Sequence, residues 1–172
     1  VPGRTITKFT RTYEEFDPDG AGNGPPTWIL ATPGAASGGA VITGGKTALV
    51  SAIAGATPIQ IGQALAMTSG GELRLADATA DATATCVGLA LTSAGAGSLL
   101  TYTSDGQVSL ADWSAVTGSA ALVPGTRYFL NPATPGGLTN VCPTTPGVYA
   151  APVGVALSTT LLEVEINLPV KQ

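Results

Sequence analysis

From Gly44 onward, every apolar run in this sequence is soon closed by glycine, proline, aspartate or serine. Such punctuation leaves room for short strands and tight turns and for little else. No stretch reaches the ~18 uninterrupted apolar residues that a membrane helix needs. Candidate strands are 48–53, 59–66, 72–76, 86–91, 98–103, 107–110, 126–130, 150–157 and 161–168. The last of these alternates in its second half, which places Glu163 and Glu165 on one face and Val164 and Ile166 on the other. The Ala-rich run 76–84 suggests a short helix, weakened by Thr79, Thr83 and Thr85.

A repeat sharpens this picture. Cys86-Val87-Gly88-Leu89-Ala90-Leu91-Thr92 returns 66 residues later as Pro152-Val153-Gly154-Val155-Ala156-Leu157-Ser158, and Gly70-Gly71 returns at the same interval as Gly136-Gly137. Two copies are too few for a solenoid. The expected fold is therefore all-β: a small β-barrel or β-sandwich built from two related β-units, about 44–110 and 111–172. These units lie in a β-rich domain spanning 27–172. An extended N-terminal arm and linker, 1–26, precede it. The arm, Thr5 to Tyr13, is Thr-rich, β-prone and basic, and 17–26 are nearly all turn formers before a short strand at Trp28-Ile29-Leu30.

Composition narrows function. Charged residues make up 10% of the chain, against roughly 25% in ordinary soluble domains, so much of the surface is expected to face other protein. The net charge of −4 and the scattered basic residues offer no footprint for a phosphate backbone, so nucleic acid is not an expected partner, and neither is a membrane. The opening Val1-Pro2-Gly3-Arg4 leads into no apolar run, and no secretory leader is expected within it.

With no histidine in the chain, Ser-His-Asp and Cys-His arrangements cannot be built. Carboxylates cluster at Glu14, Glu15, Asp17 and Asp19 and at Glu163 with Glu165, positions poorly suited to a fixed glycosidase pair. Ala40 to Thr47, ending Gly44-Gly45-Lys46-Thr47, resembles a phosphate-binding loop, but the strand–loop–helix setting that such a loop needs is missing, and a glycine-rich turn is expected instead. Asp17 to Gly24 has the oxygens and glycines of a calcium loop, yet its twelfth position is Trp28 instead of glutamate. Cys86 and Cys142 lack metal-ligand spacing and read as two small buried thiols, with a disulfide as the alternative. No catalytic, cofactor or metal residues are expected.

Leu122-Val123-Pro124-Gly125-Thr126-Arg127-Tyr128-Phe129-Leu130, then Pro135-Gly136-Gly137-Leu138-Thr139, then Val153 to Val164 resemble a module of tailed-bacteriophage structural proteins of the head decoration (cement) and head or tail fibre type. The pattern describes a strand entered from a Pro-Gly turn, a Pro-Gly-Gly hairpin, and two strands separated by a polar turn. The resemblance covers about 86–168 and, through the repeat, more weakly 44–85. It implies a non-enzymatic homotrimer on the virion surface, a decoration protein bound to the major capsid protein. The alternatives are a head or tail fibre component and a carbohydrate-binding adhesin module, the latter using aromatics such as Trp28 and Trp113. The arm lies outside the match; its residues Arg4, Lys8, Phe9, Arg11 and Tyr13 are the expected capsid contacts on their own chemistry, a β-prone strand that could join a neighbour's sheet edge.

Overall fold

A computed structural model describes residues 14–16, 27–29, 41–42 and 49–172. The chain divides into 1–36 and 37–172, ten residues beyond the expected boundary at 26. In the first part, β1 (Glu14–Phe16) pairs antiparallel with β2 (Thr27–Ile29), and the expected linker residues 17–26 between them lie outside the described residues. The expected arm residues Arg4, Lys8, Phe9, Arg11 and Tyr13 lie outside the described residues.

The second part is all-β. In chain order it contains β3 (Val41–Ile42), β4 (Leu49–Ile53), β5 (Ala64–Met67), β6 (Leu73–Leu75), α1 (Asp81–Ala84), β7 (Gly88–Ala90), β8 (Leu99–Thr103) and β9 (Asp105–Ser109). There follow α2 (Ser114–Thr117), β10 (Arg127–Leu130), β11 (Leu138–Thr139), β12 (Tyr149–Ala150), β13 (Pro152–Ala156), β14 (Leu161–Glu165) and β15 (Val170–Lys171). Both helices are single turns. A carboxylate oxygen of Asp112 accepts from the Ser114 N–H at 2.8 Å to start α2, and Gly118, at φ +77°, ends it.

Two sheets repeat one topology. The first runs β4-β8-β7-β5-β6 and the second β9-β14-β13-β10-β11, so in each the first strand of the unit pairs with the last and the fourth with the second. The registers match as well. Leu65 faces Gly88 as Tyr128 faces Gly154, and Val50 faces Tyr102 as Val108 faces Leu162. The units therefore meet between Thr103 and Asp105, not at 110, because β9 opens the second sheet and pairs with β14.

The repeated glycine has a steric cause. A Cβ on Gly88 would lie 2.5 Å from the Thr103 carbonyl oxygen, and one on Gly154 would strike the Glu163 carbonyl oxygen more closely still. In both units the last strand crosses directly over this residue, and only a hydrogen fits there.

The first sheet closes on itself. Past β4, Ala54 bridges Leu73 of β6 in parallel, and Ala54, Ile59, Leu65, Leu73, Ala90, Ala94, Leu100 and Tyr102 fill the space enclosed. The opposite face of β5 and β7 is also buried: Ala64, Ala66 and Leu89 join the larger core, which contains Trp113, Tyr128, Leu130, Leu138, Val153, Leu162 and Val164. A strand covered on both faces has no reason to alternate, and Ala64-Leu65-Ala66 is accordingly apolar throughout. The second sheet is completed by β3, which lies along β9 with Val41 opposite Ser109 and Ile42 opposite Val108.

Candidate functional site

Most of the residues that might have carried chemistry are used structurally. Trp113 is fully buried, and its indole N–H donates to the Thr160 carbonyl at 3.0 Å. Tyr102, Tyr128 and Tyr149 are buried and Phe129 is half-buried, so none of these four rings forms an open platform for a sugar. The Tyr128 hydroxyl accepts from the Val123 N–H at 3.0 Å, which ties down the Pro124-Gly125 turn.

The carboxylates whose side chains are described form no cluster. Val164 is buried while Glu165 is exposed, as the alternation of the strand requires, and Glu165 stands 3.8 Å from Arg127 in a solvent-facing ion pair. Among the described residues no group of three His, Cys, Asp or Glu could hold a metal ion. The calcium-loop residues 17–24 lie outside the described residues. In the phosphate-loop segment, Val41–Ile42 is already a strand. The next described element is strand β4, and Thr43 to Ala48, which include Lys46 and Thr47, lie outside the described residues.

Both cysteines are free. Cys86 is buried, but Cys142 is exposed, which corrects the expectation of two buried thiols. Burial pushes the Cys86 thiol up from 9.0 to about 11, against smaller opposing effects of backbone hydrogen bonds with Gly88 and Leu65. Its contribution to stability is therefore fully present below pH 9, where the thiol is protonated in both states. It is lost as pH rises toward 11, because the unfolded chain ionises first; the loss is on the order of 3 kcal/mol. Cys86→Ala should flatten that part of the alkaline stability profile, measured by denaturant titration at several pH values. A thiol reagent should modify one cysteine per native chain, Cys142, and both after unfolding.

What remains distinctive is apolar surface. Large side chains stand out at Leu168 (82% exposed), Val141 and Leu99 (69% each), Val170 (61%) and Ile53 (50%). Ile53 and Leu99 face one another across β4 and β8. Composition suggested that charge would be scarce on the surface without locating the apolar side chains there. The local signal was Leu49-Val50-Ser51-Ala52-Ile53, a strand carrying no charge and no proline. Strands β12 and β15 form a separate two-stranded sheet, with the Lys171 ammonium 5.7 Å from the Tyr149 ring centre. The Tyr149 hydroxyl is held above its ordinary pKa by desolvation and then by Asp81.

The chain matches no protein-family model and no curated protein.

Proposed function

We propose that this protein is a non-enzymatic decoration, or cement, protein of a tailed-phage capsid, acting as a homotrimer bound to the outer face of the major capsid protein. The observation that carries the reading is the surface: large apolar side chains stand exposed while charge is scarce, and the described residues hold a single ion pair. Burying one such side chain contributes about 1.5–3 kcal/mol. A handful per copy, multiplied over a lattice, would resist outward pressure on the shell without any catalytic step. The local geometry agrees with the resemblance. The Pro124-Gly125 turn leads into β10, the Pro135-Gly136-Gly137 turn joins β10 to β11, and β13 and β14 are separated by Ser158-Thr159-Thr160.

Two measurements test this. Light scattering of the purified protein at micromolar concentration should give three times the chain mass. A cryo-EM reconstruction of the parent particle should place the chain at regular positions over the whole shell. Density confined to a fibre or a tail tip would replace decoration with the fibre reading.

A further inference from the structure

Within one chain the second unit grips the first through a turn. The hairpin between β10 and β11 carries Thr134-Pro135-Gly136-Gly137, and Gly136 is built into the first sheet where β5 begins and β6 ends. Its N–H donates to the Ala76 carbonyl at 2.7 Å, and its own carbonyl accepts from the Ala64 N–H at 2.9 Å. With φ at +74° and Cδ2 of Leu75 only 2.8 Å from where a Cβ would lie, the position suits glycine. Ala64 and Ala76 are both buried.

The first unit has a turn of the same composition. Thr68-Ser69-Gly70-Gly71 stands 66 residues earlier, at the interval of the repeat, and joins the corresponding strands β5 and β6. Each turn is closed by one backbone bond, from the Gly71 N–H to the Thr68 carbonyl at 3.0 Å and from the Gly137 N–H to the Thr134 carbonyl at 2.9 Å. Their surroundings differ: Gly136 and Gly137 are buried, whereas Met67, Ser69, Gly70, Gly71 and Glu72 are exposed.

A receiving surface recurs as well. Leu65 and Tyr128 both face the repeated glycine, so Ala64 corresponds to Arg127. Through the pairs Ala66–Arg74 and Phe129–Thr139, counting on along the chain, Ala76 corresponds to Val141. In place of two buried alanines, the second unit presents Val141, 69% exposed, and an Arg127 side chain that is 50% exposed, with the exposed Cys142 next in the chain.

We infer that the surface at Arg127 and Val141 receives the Thr68–Glu72 turn of a second copy of this chain, repeating between copies the contact that Gly136 makes within one. The chemistry is complementary. Met67 brings an exposed apolar side chain to Val141, and Glu72 brings a carboxylate to the Arg127 guanidinium. The turn and its receiving surface lie on different units, so the contact is heterologous, and in a trimer it closes a ring of six units joined alternately within and between chains. The inference rests on the homotrimer proposed above, but not on attachment to a capsid.

A disulfide tests it. Pro135 and Asp77 flank the hydrogen bond between Gly136 and Ala76, and their counterparts are Ser69 and Cys142. Full-length Ser69→Cys should therefore link to the native Cys142 of the next copy under mild oxidation, and run as two and three joined chains on a non-reducing gel. Either exposed cysteine alone, in the parent or in Ser69→Cys/Cys142→Ser, should link at least tenfold more slowly. Val141→Lys should fall from three times the chain mass to one while keeping the parent's circular dichroism. In a parent of three-chain mass, a link formed only within single chains, or no faster than with one cysteine, would overturn this contact and leave the trimer standing. A parent of single-chain mass would overturn the trimer and the ring together.

Discussion

Trp113→Ala is expected to destabilise the fold by about 3–5 kcal/mol, the cost of emptying a buried aromatic site that its neighbours cannot refill. The ring is fully buried beside α2, packed into the larger core, and its edge approaches the backbone at Gly62 of the first unit. It also anchors the turn between β13 and β14 through its bond to Thr160. Because that carbonyl also accepts from the Leu110 N–H at 3.0 Å, Trp113→Phe should leave no orphaned acceptor and lose only part of the total. In a chain of this size the alanine variant should melt roughly 10 °C or more below the parent. A fall equivalent to under 1 kcal/mol would mean that the two units hold together without this side chain.

Gly88→Ala and Gly154→Ala should each cost about 3 kcal/mol or more, although the side chain added is only a methyl group. At both positions the new carbon would occupy the space of a carbonyl oxygen on the neighbouring strand, and at Gly88 also that of the Tyr102 ring, 2.5 Å away. Neither obstacle is the end of a flexible side chain, so the strands must part. Gly97→Ala is the control: its φ of +73° disfavours a side chain, but nothing lies within 4 Å, and the expected cost is about 1 kcal/mol. Chemical denaturation of the three variants should rank Gly88 and Gly154 together and well above Gly97. If all three cost the same, the repeated glycine reflects backbone conformation and not the crossing strand.

Sequence periodicity located the strands that bury side chains. The expected 98–103, 126–130 and 150–157 correspond to β8, β10 and β13, and the expected helix within 76–84 shrinks to Asp81–Ala84. β11, β12 and β15 were not legible because two residues have no period; they exist only through their partners. The unit boundary was misplaced for a related reason. The chain passes from β8 to β9 with Ser104 alone between them, in a turn held by the Thr103 hydroxyl donating to the Asp105 carbonyl, and no run of glycine or proline marks the join. That β4 ends its sheet's strand order was illegible, because edge or centre is decided by pairing between strands far apart in the chain.

The path of β3 bears on the order in which this protein acquires its shape during synthesis. Val41 and Ile42 leave the ribosome before either unit, yet their partners Ser109 and Val108 emerge only after the whole first unit has been made. Through that interval the first unit can close over its own small core, since every strand of its sheet is already present. The second cannot be finished from its own residues. Its outer edge waits for a segment made before either unit, and the loop that brings them together encloses the entire first unit. Folding of the second half is thereby made conditional on the first half being compact, because a collapsed unit shortens the distance that loop closure must span. A ribosome stalled near residue 103 should therefore carry a protease-resistant first unit.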